Sequence, residues 1–336
     1  MRSLSYVSPG ALEWQDAPEP TLEGDGEALV RPVAATTCDL DRLIIRGETP
    51  FQGPFAIGHE CIAEIVDAGD AVAGFEPGQR VVVPWHISCG ECERCRSGLT
   101  AHCEAVPYGA MFGLPVAKDW GGLFSDLVRV PFAEGMLVHV ADGIDASAVA
   151  SAGDNLALAL ECLDRHVGER PGASVLILGS GSVGLYAVEL ALVLGARRVV
   201  YVDDDPDRLA LASDLGAEIA KEPPAREEGT FELALDAGTN EVWLHSALQL
   251  LEPEGACECP ALYFNDVSLP LFQMAVRGVR LHTGRGNAVP HISRVLGLVD
   301  CGRIHPERIA SEVLPWEEAP EALAEPSLKP VFVRPP

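Results

Sequence analysis

The sequence has very little lysine and a large deficit of positive charge. Of its 336 residues, 50 are acidic and 24 are basic, and the basic ones include only three lysines, so the formal net charge is −26. A surface with that excess of negative charge repels nucleic-acid phosphates and anionic lipid headgroups. We therefore expect no nucleic-acid partner and no membrane partner.

The sequence also lacks an apolar run of the roughly 18 residues that a membrane-spanning helix needs. Its first residues, MRSLSYVSPGALEW, contain no apolar core of the kind found in secretory signal peptides. Together these absences predict a cytoplasmic protein. In that compartment thiols stay reduced, and clustered cysteines are more often metal ligands than disulfides.

Cysteine, by contrast, is plentiful, and four of the ten cysteines lie within residues 88–103. Their spacing is C-x2-C-x2-C-x7-C, at Cys89, Cys92, Cys95 and Cys103. Zinc prefers four thiolates in a tetrahedron, which tight turns can supply from a single loop. A disulfide pair is the alternative, and the reducing compartment disfavours it. The pattern predicts a lobe at about 86–105 that holds a structural zinc with no open position for a substrate.

The pattern of predicted secondary structure changes near residue 150. Before it, short β-type runs such as 80–83 and 127–130 are broken by frequent turn residues, which predicts a partly barrel-like all-β domain. After it, strand and helix patterns alternate, which predicts an α/β domain with a doubly wound parallel sheet. The last forty or so residues resemble the first domain again. We therefore predict one domain from 1–150 and 287–336 and a second from 151–286.

Within the second domain the elements can be placed individually. The predicted strands are 174–179, 198–203, 231–236 and 256–262, and the predicted helices are 155–166, 182–194, 206–215 and about 240–251.

A glycine motif, G-x-G-x-x-G, lies between the first of these strands and the following helix, where dinucleotide-binding proteins have it. Gly179 permits the tight turn, Gly181 lets the backbone approach a pyrophosphate, and Gly184 allows the helix to pack on the strand. A purely structural turn is the alternative. The predicted cofactor-binding residues are Gly179, Gly181, Ser182, Val183, Gly184, Asp203 and Arg208.

Asp203 ends the next strand, nineteen residues after Gly184. A carboxylate at this position accepts hydrogen bonds from the adenosine ribose hydroxyls and repels a 2′-phosphate. Asp204 and Asp205 add to that repulsion, so the sequence favours NAD. Because Arg208 could reach a 2′-phosphate, NADP remains the less favoured alternative.

Three further residues each have an ordinary interpretation. Cys38 could be a core thiol, His59 a turn histidine, and Asp154 a helix cap. Their separation along the sequence does not show whether they meet in space.

Several motifs together carry a resemblance to a known family. They are C-x-x-D at 38–41, G-H-E at 58–60, the cysteine lobe, the Gly-Gly of 119–131, the glycine motif with Asp203, and the closing KPVFVRP at 329–335. In this order they resemble the zinc-containing branch of the medium-chain dehydrogenase/reductase family, which includes alcohol, sorbitol and threonine dehydrogenases. The resemblance covers nearly the whole chain. It implies a GroES-like, partly open β-barrel catalytic domain and a Rossmann domain.

The resemblance also implies a second, catalytic zinc per chain, held by Cys38, His59 and Asp154. Glu60 is a further ligand candidate when no substrate is bound, and Asp41 is a candidate acceptor for the His59 ring N–H. The third position is usually Glu or Cys in the family, so aspartate is a variant. The implied activity is hydride transfer between NAD(H) and a small alcohol/ketone pair. Relatives imply a homodimer or homotetramer.

The chain departs from the family at two positions of the proton relay. Leu40 replaces a Ser or Thr, and Leu43 replaces a relay histidine that some members have. These changes favour an apolar substrate pocket and a secondary alcohol or ketone. They also leave two alternatives open: a reductase of activated alkenes or atypical carbonyls, and a zinc- and nucleotide-binding protein without turnover. The candidate pocket residues are Phe51, Phe55, Trp85, His86, Met111 and Trp120.

Overall fold

A computed structural model describes residues 1–335 of the chain. They form two compact units, one of Met1–Ala157 with the described residues from Asn287 onward, and one of Leu158–Gly286. Residues 151–157, expected in the second domain, thus belong to the first unit.

The elements before the second unit are mostly short strands. They are β1 (Arg2–Ser8), β2 (Ala11–Asp16), β3 (Ala28–Thr36), α1 (Asp39–Ile45), β4 (Phe55–Ala56), β5 (Glu60–Ala68), β6 (Arg80–Val83), α2 (Glu93–Arg96), β7 (Val128–Val130), α3 (Ala133–Met136) and β8 (Val138–His139). The long strands β3 and β5 alternate between buried and exposed side chains over part of their length and pair antiparallel, as expected for a sheet with one buried face.

The second unit alternates helices and strands. Its elements are α4 (Asn155–Leu163), which begins in the first unit, β9 (Ser174–Leu178), α5 (Ser182–Val193), β10 (Arg198–Val202), α6 (Pro206–Asp214), β11 (Glu218–Ala220), β12 (Phe231–Asp236), α7 (Glu241–Leu250), β13 (Leu251–Cys259), α8 (Leu271–Arg277) and β14 (Arg280–Thr283). The chain then returns to the first unit through α9 (Val289–Asp300), β15 (Glu312–Pro315), α10 (Ala319–Ala324) and β16 (Pro330–Val333).

The first unit is built on two sheets. One has the order β2-β1-β4, and the other has the order β15-β16-β3-β5-β6-β8 with β7 beside β3. Strand β16 pairs antiparallel with β3, so the end of the chain completes a sheet that the beginning started. This confirms the open β architecture expected for a GroES-like domain.

The second unit is a six-stranded sheet with the order β11-β10-β9-β12-β13-β14, and every neighbouring pair is parallel. Strand β9, SVLIL, is buried along its whole length, which is typical of a parallel strand covered on both faces. One core cluster packs this sheet against α7 and α8, with Leu176, Phe231 and Leu248 among its buried members. The order reverses between β9 and β12, which confirms the predicted doubly wound Rossmann sheet.

Candidate metal centres and dinucleotide site

The turn before α1 positions two buried side chains. Cys38 precedes the helix, and its backbone N–H donates to the Asp41 carboxylate at 3.2 Å. An acidic side chain in the first helical turn that reaches back in this way holds the turn in shape. Cys38 and Asp41 are 3% and 0% exposed, so both are available only to groups within the protein.

His59 lies between a glycine turn and β5. Gly58 has a φ of 91°, and a Cβ on it would lie 2.4 Å from the Phe124 ring, so the position requires glycine. The turn directs His59 into the interior, where it is 2% exposed. Asp154 comes from a third segment, immediately before α4, and is 8% exposed.

These three side chains meet. One sulfur, nitrogen or oxygen atom from each of Cys38, His59 and Asp154 lies within 4.8 Å of the others. His59 Nε2 and an Asp154 carboxylate oxygen are 3.4 Å apart. A thiolate, an imidazole and a carboxylate are donors that zinc accepts, and three protein ligands leave a fourth position open. The side chains therefore fit a catalytic zinc.

The electrostatics of the group support the same conclusion. Burial acts to lower the pKa of His59, but the charges of Asp41 and Cys38 and a hydrogen bond with Asp154 raise this pKa well above its usual value. Burial also raises the pKa of Cys38 to about 12. The acidic groups around His59 thus favour a positive charge at this position. A divalent cation can supply this positive charge once it displaces the protons from the ligand atoms.

Asp41 lies on the other side of the imidazole. His59 Nδ1 and an Asp41 carboxylate oxygen are 3.5 Å apart, too far for a good hydrogen bond, and neither atom has a hydrogen-bond partner among the described residues. A carboxylate that faces the second nitrogen of a metal-binding histidine fixes its tautomer. Asp41 lies on the side of the ring where such a carboxylate is needed, and its role as the hydrogen-bond acceptor stays a prediction.

Glu60 is oriented differently from the three ligand candidates. Its carboxylate forms a buried ion pair with Lys329 and accepts hydrogen bonds from the Ser151 hydroxyl at 3.2 Å and the Asn155 N–H at 2.9 Å. It is not part of the group whose donor atoms converge in the described structure. Its role as a further zinc ligand stays a prediction.

Sequence reasoning missed Lys329. The ammonium group also donates to the Thr37 carbonyl at 2.7 Å, and the side chain is fully buried. Burial raises the pKa of Glu60 to about 7 despite this partner. A usable signal was present, because Lys329 is one of only three lysines and begins the closing KPVFVRP motif.

The four clustered cysteines also converge. Their sulfur atoms all lie within 4.8 Å of one another, and all ten cysteines of the chain are free of disulfides. Backbone N–H groups point at the sulfurs, for example those of Cys92 and Glu91 at Cys89 Sγ, at 3.3 and 3.4 Å. These hydrogen bonds stabilise thiolates. The arrangement fits a four-thiolate zinc with no open position.

Tight packing explains the first and third glycines of the nucleotide motif. A Cβ on Gly179 would lie 2.1 Å from the Tyr201 hydroxyl, and one on Gly184 would lie 3.3 Å from Tyr201 Cε2. Gly181 has an extended φ of −158°, which any residue can adopt, so its backbone conformation does not require glycine. Helix α5 begins at Ser182 without a side-chain cap, and Val183 follows in its first turn, so the glycine motif leads directly into a helix N-terminus, the end of a helix that favours anions.

Asp203 accepts more hydrogen bonds from within the protein than the sequence predicted. Its carboxylate, 1% exposed, accepts hydrogen bonds from Arg208 at 2.7 and 2.8 Å, from the Tyr201 hydroxyl at 2.8 Å and from the Asp205 N–H at 3.0 Å. Burial acts to raise the pKa of Asp203, but these hydrogen bonds overcome it and hold the pKa below its usual value. Arg208 is held by this pairing.

A family model described as the alcohol dehydrogenase GroES-like domain matches residues 24–142. The solved structure of alcohol dehydrogenase TADH from Thermus sp. ATN1 is 31% identical, covers 100% of both chains and has a TM-score of 0.90. The chain belongs to the zinc-containing medium-chain dehydrogenase/reductase family. This medium-chain dehydrogenase is therefore a zinc-dependent oxidoreductase of the alcohol dehydrogenase type, with a small-molecule substrate.

Two curated relatives are also similar to this dehydrogenase in sequence. The probable zinc-binding alcohol dehydrogenase Rv1895 of Mycobacterium tuberculosis is 28% identical over 332 residues, which are 96% of this chain and 85% of that protein. A glutathione-independent formaldehyde dehydrogenase of Pseudomonas aeruginosa is 31% identical over 249 residues, which are 68% of this chain and 61% of that protein.

The departures from the family lie in α1 of this dehydrogenase. Leu40 and Leu43 are both half-buried on the helix that Cys38 introduces. Of the candidate pocket residues, four are buried and two are half-buried: Phe55, Trp85, His86 and Met111, and Phe51 and Trp120. None of the helices formed by residues 1–335 has the length and hydropathy of a membrane span.

Proposed function

We propose that the protein transfers a hydride between NAD(H) and a secondary alcohol/ketone pair at a zinc held by Cys38, His59 and Asp154. The observation that carries this proposal is the convergence of these three side chains, from three distant segments, in one buried cluster. The cluster offers the donor types of a catalytic zinc. The chain also belongs to a family in which zinc-dependent alcohol oxidation is common.

Some residues of the site would bind the zinc ion, and others would orient those ligands. When bound, zinc supplies a Lewis acid that lowers the pKa of a hydroxyl group and polarises a carbonyl. Cys38 and Asp154 contribute negative charge, and His59 contributes a neutral nitrogen whose tautomer Asp41 selects. Lys329, Ser151 and the Asn155 N–H hold Glu60 beside this group, so its charge is balanced within the protein.

The cofactor preference rests on Asp203 and its neighbours. The carboxylate beyond β10 is anionic, because the pKa of Asp203 is lowered, and Asp204 and Asp205 follow it. Three carboxylates against the single guanidinium of Arg208 leave a net negative charge here, which opposes a 2′-phosphate. The ion pair holds Arg208 against Asp203, away from a role in binding that phosphate. We infer that NAD is preferred over NADP.

The substrate preference rests on Leu40 and Leu43. Both replace polar residues of the family's proton relay, so the region beside Cys38 is more apolar than usual. A secondary alcohol or ketone with apolar substituents suits such a site better than a sugar. Water or another group must then carry the proton.

The decisive experiment is a substrate panel followed at 340 nm with the zinc-loaded protein. The panel contains secondary alcohols, their ketones, enals and formaldehyde, each with NAD(H) and NADP(H). We expect oxidation of secondary alcohols with NAD. In Cys38→Ser this activity should fall by several orders of magnitude, while Cys301→Ser, at an exposed thiol, should keep it.

Leu40 also favours a second candidate, a reductase of activated alkenes. Activity on enals alone would support that candidate and overturn the first. Zinc binding with no turnover on any substrate would instead support a protein without catalysis. Formaldehyde belongs in the panel because one relative carries the name of a formaldehyde dehydrogenase.

We further propose a homodimer or homotetramer in the cytoplasm. The family resemblance supports the oligomer, and the need for reduced thiols at both zinc sites favours a reducing compartment. Light scattering coupled to size exclusion measures the oligomeric mass, and a stable monomer at micromolar concentration would contradict this proposal.

A further inference from the structure

A cavity of about 330 Å³ lies at the amino-terminal edge of the parallel sheet, and the proposed reaction does not use it. Its walls come from the segment 166–173 before β9, from Arg197 just before β10, and from residues of β12, β13 and β14. The glycine motif follows the opposite end of β9, about 16 Å away at the rise of a five-residue strand. The cavity is therefore separate from the proposed dinucleotide site.

The charge of this cavity is the reverse of that of the whole chain. Three arginines line it, Arg170, Arg197 and Arg280, beside two carboxylates, those of Glu232 and Glu254. The chain as a whole has 50 acidic residues against 24 basic ones. A local excess of arginine in so acidic a protein is the kind of feature that attracts anions.

Three arginines against two carboxylates leave one net positive charge in the wall of the cavity. Glu232 pairs with Arg197 at 2.9 Å and also accepts the Ser174 N–H at 2.7 Å, so its charge is directed to one arginine. Arg280 donates instead to the backbone carbonyl of Glu254, at 2.9 Å. That contact orients the Arg280 guanidinium without neutralising it.

A histidine completes the wall of the cavity. His166 lies in the π-helical turn 164–168, and its Nε2 is 2.6 Å from a carboxylate oxygen of Glu258, which is 5% exposed. The other oxygen of Glu258 is 2.6 Å from Nδ1 of His282. This buried carboxylate therefore holds the His166 ring in one orientation beside the arginines.

We propose that the cavity binds a small phosphate monoester, with Arg170 and Arg280 as its main charge contacts and His166 as a hydrogen-bonding wall. Guanidinium groups offer paired N–H donors that match phosphate oxygens. The volume is near the lower limit of small-molecule sites, so it suits an ester of a few carbon atoms rather than a dinucleotide.

Isothermal titration calorimetry with glycerol 3-phosphate tests the proposal. The zinc-loaded protein is titrated at low ionic strength with NADH in excess, so that the dinucleotide site is filled. We expect saturable binding of one anion per chain and no binding of glycerol. Arg170→Gln combined with Arg280→Gln should weaken binding at least about tenfold, because each removes a charged hydrogen-bond donor.

The matched control is Arg198→Gln, which removes an arginine of the same unit that pairs with Glu218 outside the cavity. This variant should bind as tightly as the wild type. The proposal is overturned if glycerol 3-phosphate does not bind beside NADH, or if the double variant and the control bind equally. Because both mutated arginines are exposed, the double variant should fold, and its melting temperature checks this. The dehydrogenase activity is measured separately, so its failure would not affect this result.

Discussion

At the scale of single residues, Glu60 and Lys329 form a buried ion pair next to the candidate catalytic cluster. Both side chains are fully buried, and a buried charge without a partner is strongly unfavourable. Lys329 therefore compensates an acidic group that lies directly beside a proposed zinc ligand.

We predict that Lys329→Met lowers the free energy of unfolding by roughly 3–5 kcal/mol, since it leaves the Glu60 carboxylate buried and unpaired. Chemical denaturation of the zinc-loaded protein measures this change. Lys221→Met, at an exposed lysine, is the control and should have little effect. Adding Glu60→Gln to Lys329→Met should recover part of the loss, and a double variant no more stable than Lys329→Met would contradict the pairing.

Single functional residues could be predicted from the sequence only where they belong to a recognisable motif. Cys38, His59 and Asp154 have ordinary interpretations one by one, and the family resemblance is what grouped them. Lys329 was missed because its partner is 269 positions away and no local pattern links the two. The hydrogen bond from Tyr201 to Asp203 could not be predicted for a different reason, because the contacts of the strand residue Tyr201 depend on how side chains pack.

At the scale of elements, the cysteine lobe 86–105 contains little regular structure beyond α2 and a short 3₁₀ turn. Such a segment buries too little apolar surface to fold by itself, so the metal contributes directly to its folding.

We therefore predict that Cys95→Ser lowers the melting temperature and removes one zinc ion per chain, whereas Cys301→Ser changes neither. Calorimetry and metal analysis measure the two effects. A Cys95→Ser variant that keeps the wild-type zinc content would show that the four thiols do not hold a metal.

The ion pair of Asp203 with Arg208 links the residue after β10 to α6. Removing one partner of so buried a pair should cost about 3 kcal/mol, so we expect Arg208→Met to lower stability at pH 7. Arg198→Met, which removes a more exposed pair with Glu218, should cost less than about 1 kcal/mol.

The pH dependence of this effect has a definite sign. Since the pKa of Asp203 is lowered by folding, the pair stabilises the folded state fully above the unfolded pKa of about 4 and is lost as the pH falls through the lower folded value. The difference in melting temperature between wild type and Arg208→Met should thus shrink below about pH 4. A difference that stays constant would exclude ionised Asp203 as its cause.

Most elements of the second unit could be predicted because their strands are continuous apolar runs. Helix α5 begins at the predicted Ser182 and ends one residue before the predicted Leu194. Strand β13 begins at Leu251 rather than 256, with Glu254 at a positive φ of 62° inside it, and ends before Pro260. Proline and glycine at 253–255 concealed that early start, because both residues weaken a strand pattern.

At the scale of the whole molecule, the net charge of −26 opposes the compact state through self-repulsion. We predict that raising KCl from 0.01 to 1 M, which shortens the screening length from about 30 to about 3 Å, increases the melting temperature by several degrees. Sucrose serves as an uncharged control for solvent exclusion. A melting temperature that falls with salt would mean that surface ion pairs outweigh the general repulsion.

The central claim is that three side chains from distant segments form a metal site distinct from the cysteine lobe. Metal analysis of the wild type and of Asp154→Ala, each purified with zinc and freed of excess ion, tests it most directly. We expect two zinc ions per chain in the wild type and one in the variant, with the fold retained. Equal zinc content in both proteins, or one zinc ion in the wild type, would contradict it.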